Sequence, residues 1–515
     1  MRSETAESMH ERLGREGRSS LSERALVGET VGVEQSQDSR IVETHLSRLI
    51  FIDDSVYKVK RAVKTGFIDL TERVQREQVC HREVELNARF APDVYLGVVD
   101  LMQDGKPIDH MVVMKRLPEQ RRLSALLDTP DVAEELRGIA KLIAAVHSTA
   151  ERSESINTIA GYEGVRRLWE EGLEQIASYG GEVLPTEQVD RVANLALEYL
   201  NGRKALFDER ISNGRACDGH GDIQAEDIFC LDDGPRLLDC LEFSDTFRFG
   251  DVLNDVAFLA MDLERLGHRD LAELFLGFYR EFAGESWHRS LEHHYVAYRA
   301  HVRAKVACIR HDQGDPQAAE LARRLNFIAL EHLEAGRVRC VLVGGTPGTG
   351  KTSVSRELAQ RLGAVVISSD TLRDELQPER TQGANDEIGA GRYEPSFIEA
   401  VYDEMLHQAE LLVSRGESVV LDASWLDPTR RARALELGAR TSTPVYELRC
   451  TCPEAMATER IIRRNAAGSD ASEATPAIEQ ALRAGAAPWL SAFILDTAAP
   501  LGEVVSVAEK FLAGD

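Results

Sequence analysis

The sequence predicts two units of different class: an α+β unit of two lobes, then an α/β unit built on a parallel sheet. Three observations predict this. Residues 38 to about 120 carry apolar runs of strand character, whereas from Leu123 to about 310 the pattern is mostly helical. In the C-terminal third, short apolar runs alternate with helical segments, as parallel sheets covered by helices require. The length of 515 residues accommodates both units, since a domain averages roughly 150 residues.

The elements follow in chain order. LSRLIFI and SVYKVK flank Asp53-Asp54 and predict a hairpin. LTERVQREQVCHREVELNARF reads as a helix, and YLGVVDLMQDGKPIDHMVVMKRL as two more strands. PQAAELARRLNFIALEHLE is a further helix, with Gly336 as its stop. VRCVLV (338–343) is a short buried strand, and a Gly-rich loop and the helical SVSRELAQRLG come next. The runs AVVIS, SVVLDAS and PVYELRC are three further strands. The expected division is a tail over 1–37, an α+β unit over 38–310, a helical linker over 311–336 and an α/β unit over 337–515.

Composition excludes several classes. An apolar fraction of 43% and a charged fraction of 29% are ordinary for a globular chain and rule out a collagen, a coiled coil or a wholly disordered protein. The net charge of −25 argues against broad binding to nucleic acid or an anionic membrane, because phosphates would be repelled. A local cationic pocket remains compatible with it. No apolar run reaches the roughly 18 residues a bilayer span needs. Residues 1–37 are rich in Ser, Glu and Arg and lack the apolar core of a secretory signal. A solvated tail is expected, with a regulatory or oligomerisation arm as the alternative. The eight cysteines are scattered, which fits neither a disulfide framework nor a zinc ribbon, and points to the reducing cytoplasm. The sequence leaves the oligomeric state open.

Chemistry concentrates in two places. Gly345 to Thr352 fits G-x-x-x-x-G-K-S/T between a strand and a helix. In such a loop the residues Gly345, Gly348, Thr349 and Gly350 let backbone N–H groups converge on phosphate oxygens, and the helix adds its positive end. Lys351 reaches the β- and γ-phosphates of ATP, and the Thr352 hydroxyl ligates Mg²⁺. Asp422 ends the strand VVLD and suits a carboxylate orienting Mg²⁺ or its waters, though Asp is also common at strand ends. Asp370 is expected to end the preceding strand, where ligands of such sheets sit, and to meet an acceptor hydroxyl as base. Arg373 is placed to bind an anionic acceptor or a phosphate. Arg460, Arg463 and Arg464 lie on a helical stretch and either close over the triphosphate or form a solvated face. GGTPGTGKT, SSDTLRDEL, VVLDASWLDPTRRARA and ERIIRRN together resemble small P-loop kinases of the gluconate kinase, chloramphenicol phosphotransferase and zeta-toxin type. The resemblance implies transfer of the ATP γ-phosphoryl group to a hydroxyl and leaves the acceptor open.

The second place is CDGHGDIQAEDIFCLDDGPRLLDCLEF (217–243). His220-Gly221-Asp222, Asp227 and Asp239 resemble the catalytic loop and metal-binding Asp of aminoglycoside phosphotransferases and protein kinases. That resemblance implies a protein-kinase-like fold for the first unit. By its analogy Asp222 is the base, with Asp227 and Asp239 as Mg²⁺ ligands. This chain departs from the pattern: Asp227 stands where the family has Asn, and Gln224 where it has His. The sheet-rich lobe should supply a nucleotide lysine. Lys58 and Lys60 share one face of a strand, and Lys58 fits best. Its partner is Glu83 or Glu77, with Glu83 preferred. MKRLP (114–118) would then link the lobes and touch adenine. Asp251 and Asp255 lie one helical turn apart, and the resemblance implies that their helix supports the catalytic loop, so both are expected to be structural. Arg299 and Arg303, also one turn apart, are placed to face an anionic acceptor.

The order of the two parts resembles a group of bacterial two-domain proteins described as aminoglycoside phosphotransferase-like/ATP-binding proteins, over roughly residues 40 to 515. Three functions are compatible with this. One is an ATP- and Mg²⁺-dependent phosphotransferase with two nucleotide sites, acting on the hydroxyl of a sugar, aminosugar or antibiotic. Another is a nucleotide-driven switch in which the P-loop half hydrolyses ATP and the first half is a degenerate binding module. The third, a nucleic-acid end-repair kinase, is disfavoured by the charge.

Overall fold

Period-two patterning in the first part of the chain builds an antiparallel sheet. The computed structural model describes residues 39–44, 46–64, 68–376, 394–467 and 475–514. The expected tail over 1–37 lies outside them. The chain divides into two units. The first comprises Met1–Ala193, Arg210–Trp287 and Glu292–Leu333, and the second Asn194–Glu209, His288–Leu291 and Glu334–Asp515. The stretch read as a linker holds the helix Ala318–Ala335, most of which groups with the first unit. Residues 194–209 group with the second, which no feature of the sequence suggested.

In the first unit, β1 (Ser39–Glu43), β2 (Ser47–Ile52), β3 (Ser55–Lys60), β4 (Tyr95–Gln103) and β5 (Lys106–Lys115) form one sheet in the order β1-β2-β3-β5-β4. The predicted hairpin is β2–β3, turned at Asp53-Asp54 with Asp53 left-handed at φ 51°. β1 was not foreseen. Phe51, Val56, Val112 and Met114 on the sheet close over Cys80 of the helix Arg73–Asn87 and Phe229. Along β3, alternation buries Val56, Lys58 and Lys60 on one face. Two lysines thus enter a dry interior, where an unpaired charge is costly.

The other lobe is helical. The helices Val132–Thr149, Val252–Arg265 and Arg269–Ala283 pack together, and the second of these is buried almost all round. Two small ribbons lie beside them. β6 (Ala216–Asp218) pairs with β9 (Phe249–Asp251), and β7 (Ile228–Leu231) with β8 (Gly234–Leu237). The loops leaving β6 and β8 carry the acidic motifs. The apolar run PRLLD does not carry a strand as far as Asp239: β8 stops at Leu237, and Asp239 sits beyond it with φ 64°.

The second unit holds β10 (Cys340–Gly344), β11 (Val365–Ser368), β12 (Val419–Asp422), β13 (Val445–Thr451) and β14 (Phe493–Asp496). All pairs are parallel, in the order β11-β12-β10-β13-β14. The order reverses around β10, so a crevice opens at its carboxyl end, where such sheets bind ligands. Val341, Val343, Val420 and Leu448 meet Val354 and Leu358 of the helix Lys351–Leu362, and Val505 and Ala508 of the helix Leu501–Ala513, in the core. β14 was not foreseen. Asp370 is also displaced from its expected place: β11 ends at Ser368, and Asp370 lies in the first turn of the helix Ser369–Leu376. Among the described residues no helix is long and apolar enough to cross a membrane.

Candidate active sites

The first site starts from the buried lysines. Lys58 Nζ lies 2.7 Å from Glu83 Oε1, and Lys60 Nζ 2.7 Å from Glu83 Oε2. Glu83, on the helix Arg73–Asn87, is fully buried between them. Lys58 also pairs with Asp239, and Lys60 with Glu242. Burial alone would lower the Lys58 pKa, but Asp239, Glu83 and Glu242 together raise it well above the usual lysine value. Burial likewise works against ionised Glu83, and Lys58 and Lys60 overcome it and hold its pKa down. Glu77, the other candidate, faces outward and meets Arg73. Lys60 and Glu242 belong to the same cluster. The strand alternation marked Lys60, but nothing local marked Glu242.

The loop after β6 is held from beneath. His220 N and Gly221 N each donate to Asp255 at 2.8 Å, and His147 Nε2 donates to the same carboxylate at 3.0 Å. A Cβ on Gly219 would come within 2.6 Å of Asp255 Oδ2, so only glycine fits there. Asp251 caps its helix by accepting from Leu253 N at 2.8 Å and is paired with Arg210 at 2.7 Å. Asp255 therefore bonds the backbone of the loop, whereas Asp251, one residue before the helix, caps that helix and bonds Arg210 instead of the loop.

Asp222 leaves this loop with Oδ1 buried and without a hydrogen bond. Arg303 Nη1 is 3.9 Å away. Burial pushes the Asp222 carboxyl up to about 6, with Asp239 adding to the rise and Arg303 and Arg299 opposing it. Asp227 is raised well above the carboxylate range by burial first, then by Asp239 and Asp222. Asp239 is held low: burial is outweighed by Lys58, which bonds it. Its own N–H donates to the Tyr95 hydroxyl at 3.1 Å. Residues from four separated segments thus act on one another electrostatically: Lys58, Glu83, Asp222 with Asp227, and Asp239.

The second site is the loop after β10. At Gly345, φ is 141° and a Cβ would come within 2.6 Å of the Cys450 carbonyl oxygen, so the turn excludes a side chain. Thr349 is buried, and its hydroxyl donates to Thr346 O at 2.7 Å, which shapes the loop from within. Gly350, also left-handed, caps the helix that begins at Lys351. Lys351 Nζ donates to Thr346 O at 3.2 Å. Parallel pairing sets Asp422 level with Val343 of β10 and Ser368 of β11. Burial raises the Asp422 pKa, while Lys351 and the Thr352 hydroxyl oppose the rise.

A cavity of about 900 Å³ is lined by Gly348, Gly350, Lys351, Thr352, Asp370, Asp422, Arg460 and Arg464. The four motifs of this unit therefore meet in one place. Arg460 is anchored by donating to Thr497 O at 2.8 Å. Arg463 is exposed and lies outside the cavity lining. Arg373 pairs with Asp370 at 2.6 Å. Glu479, buried and accepting from the Thr346 hydroxyl at 3.0 Å, also braces the loop and had no sequence signal.

A family match falls within the second unit. Residues 340–488 match the family model described as an AAA domain. The uncharacterized protein Rv2004c of Mycobacterium tuberculosis is 40% identical over 461 residues, which cover 89% of this chain and 92% of that protein. The uncharacterized protein Mb2027c of Mycobacterium bovis matches to the same extent. The chain belongs to their family. Among solved structures, choline kinase from Cryptosporidium parvum is 10% identical and covers 57% of this chain and 88% of its own, with a TM-score of 0.39. The Mycobacterium tuberculosis APS kinase in complex with AMPPNP and APS is 21% identical and covers 34% of this chain and 98% of its own, with a TM-score of 0.28. In architecture this member of the family joins a two-lobed α+β unit to an α/β unit built on a parallel sheet.

Proposed function

We propose that the chain is an ATP- and Mg²⁺-dependent phosphotransferase that moves the γ-phosphoryl group to a small-molecule hydroxyl, with a nucleotide site in each unit. The observation that carries this reading is the buried Lys58–Glu83 pair at 2.7 Å, tied to Asp239, whose charge acts on Asp222. A lysine fixed by a glutamate holds phosphate oxygens in a defined place, which is most of what phosphoryl transfer asks of a protein.

In the first unit Lys58 would bind the nucleotide phosphates and Glu83 would fix its direction. Asp222 would accept the proton of the acceptor hydroxyl. The new bond joins that oxygen to the γ-phosphorus. The bond from the γ-phosphorus to the β–γ bridging oxygen breaks, and its electron pair leaves with ADP. The raised pKa of Asp222 suits a base that works close to neutral pH.

The donor sets suit Mg²⁺. Asp227 and Asp239 in the first unit, and Thr352 and Asp422 in the second, offer hard oxygen atoms. Among the described residues no three metal-binding side chains form a complete cage. A Mg²⁺ ion would be held there through one or two carboxylates plus phosphate oxygens and water. The mutual repulsion that raises Asp227 is also what a bound cation would relieve. When bound, Mg²⁺ would neutralise charge on the phosphates. In the second unit Lys351 would hold the β- and γ-phosphates, Arg460 and Arg464 would flank them, and Asp370 would face the acceptor. The eight cysteines are free and buried, which suits the cytoplasm.

One observation favours a second reading. Asp227 adds a third carboxylate beside Asp222 and Asp239, and an overcharged site can bind without turning over. The chain would then be a switch, with hydrolysis in the P-loop unit. The test is transfer of labelled γ-phosphate by the full chain to a panel of hydroxyl compounds, with Asp222→Asn and Lys351→Ala made singly and together. Acceptor labelling lost in Asp222→Asn supports the phosphotransferase. ATP hydrolysis sensitive to Lys351→Ala, with no acceptor labelled, supports the switch.

A further inference from the structure

Arg299 and Arg303 lie one turn apart on the helix Arg289–Asp312, yet the fold uses them differently. Arg299 is buried. Its Nε donates to Asn254 O at 3.0 Å, and its guanidinium lies 5.0 Å from the centre of the Phe258 ring. It is spent on anchoring the helix. Arg303 is partly open, with 26% of its side chain exposed. Its Nη1 stands 3.9 Å from Asp222 Oδ1, an atom that is buried and has no hydrogen bond.

That distance matters. It is beyond hydrogen-bond length, so Arg303 leaves the Asp222 lone pair free for an acceptor hydroxyl. It is also short enough that a hydroxyl seated on Asp222 would bring the neighbouring part of the acceptor against the guanidinium. Two of the other acids around Asp222 are already matched, whereas Asp227 is not and repels it. Asp239 pairs with Lys58, and Asp262 accepts from Ala225 N at 2.9 Å and pairs with Arg265 at 2.7 Å. In a chain of net charge −25, an arginine whose fork is not spent on a hydrogen-bonded carboxylate is a local exception beside the base. A guanidinium fork matches carboxylate and phosphate groups and repels ammonium groups.

We infer that Arg303 is a specificity residue of the first unit, and that its acceptor is a hydroxyl compound carrying a carboxylate or phosphate close to the reacting oxygen. This narrows the reading above, on which it rests, and sets polycationic aminosugars aside as acceptors. A residue that only balanced the charge of Asp222 would act on all acceptors alike, through kcat. A residue that binds the acceptor acts on the KM of anionic acceptors.

The experiment uses the full chain and labelled ATP. Glycerate, glycerol 3-phosphate and ribose 5-phosphate are compared with glycerol, ribose, choline and kanamycin. The expected result is transfer to anionic members of the panel. Arg303→Ala should raise their KM about 10–100-fold, the loss of one or two charge-assisted hydrogen bonds, and leave the KM for ATP unchanged. Arg303→Lys should recover part of that loss, and it guards against an Ala variant that fails to fold. Preference for neutral or cationic acceptors, no transfer to any anionic member, or an Arg303→Ala effect confined to kcat and equal for all acceptors would each overturn the inference. Anionic acceptors phosphorylated at full rate by Asp222→Asn would instead remove the base reading beneath it.

Discussion

The two candidate sites are assembled in opposite ways. In the second unit the phosphate loop is one run of eight residues, Gly345 to Thr352, whose shape follows from glycines and a helix start. In the first, Lys58 and Asp239 stand 181 positions apart and meet only through the fold. The charges differ as well. Lys58 is clamped by carboxylates, whereas Lys351 rests on a backbone carbonyl. A contiguous phosphate site can be prepared by backbone N–H groups alone. A dispersed one needs buried ion pairs to hold its parts in place, and each such pair must offset its own desolvation.

The sharpest way to break the comparison is at the bases and lysines. Asp222→Asn should cut acceptor phosphorylation by the first unit about 10²–10⁴-fold while ATP affinity holds, measured by steady-state transfer and nucleotide titration of the full chain. Lys351→Ala should cut turnover at the P-loop about 10²–10³-fold or more, since it removes a charge aimed at the transferring group. If both variants lower one and the same activity, the two sites serve a single reaction and the contrast between them fails.

The clamp itself is tested at Lys60, which no nucleotide need touch. Lys60→Met strands Glu83 and Glu242 with one partner fewer in a buried place, and should cost about 3 kcal/mol of stability. Chemical denaturation reads the loss, and Glu83→Gln in the same chain should recover part of it. Were Lys60→Met neutral, the ion pairs of the first site would be dispensable for its assembly.

The smallest expected effects follow from Asp222 itself. Its pKa near 6 in the folded chain exceeds that of an exposed Asp, so the folded state binds the proton more tightly than the unfolded one. The penalty is absent below the ordinary Asp pKa and complete above about 6. Asp222→Asn should therefore raise Tm at pH 8 by about 2–4 °C and leave it unchanged near pH 4, read by thermal melts across pH. In the wild type, kcat/KM for the first site should fall on the acid side with a limb near 6, and a profile flat through that region would remove Asp222 from the chemistry.

Motifs that are local in the chain were legible without the fold. The phosphate loop and the hairpin about Asp53-Asp54 follow from periodicity and spacing within a few residues, while the choice of Lys58 and Asp222 came from the family resemblance of the short motifs that hold them. The short strands β1 and β14 were not legible, because they lie at sheet edges, where neither continuous apolar runs nor strict alternation is demanded. Nor were the ends of the strands near Asp239 and Asp370, which depend on where backbone pairing stops. Pairing across the fold decided the rest. Glu83 rather than Glu77 meets Lys58 because the two stand six positions apart, which turns the helix far enough to bury one and leave the other partly exposed. Arg299 and Arg303 are equivalent by spacing, but packing spends one on Asn254 and the Phe258 ring and leaves the other beside Asp222. A sequence pattern shows which residues share a face or a loop. Which of them face a partner, and which are already taken, depends on the long-range contacts that close the core.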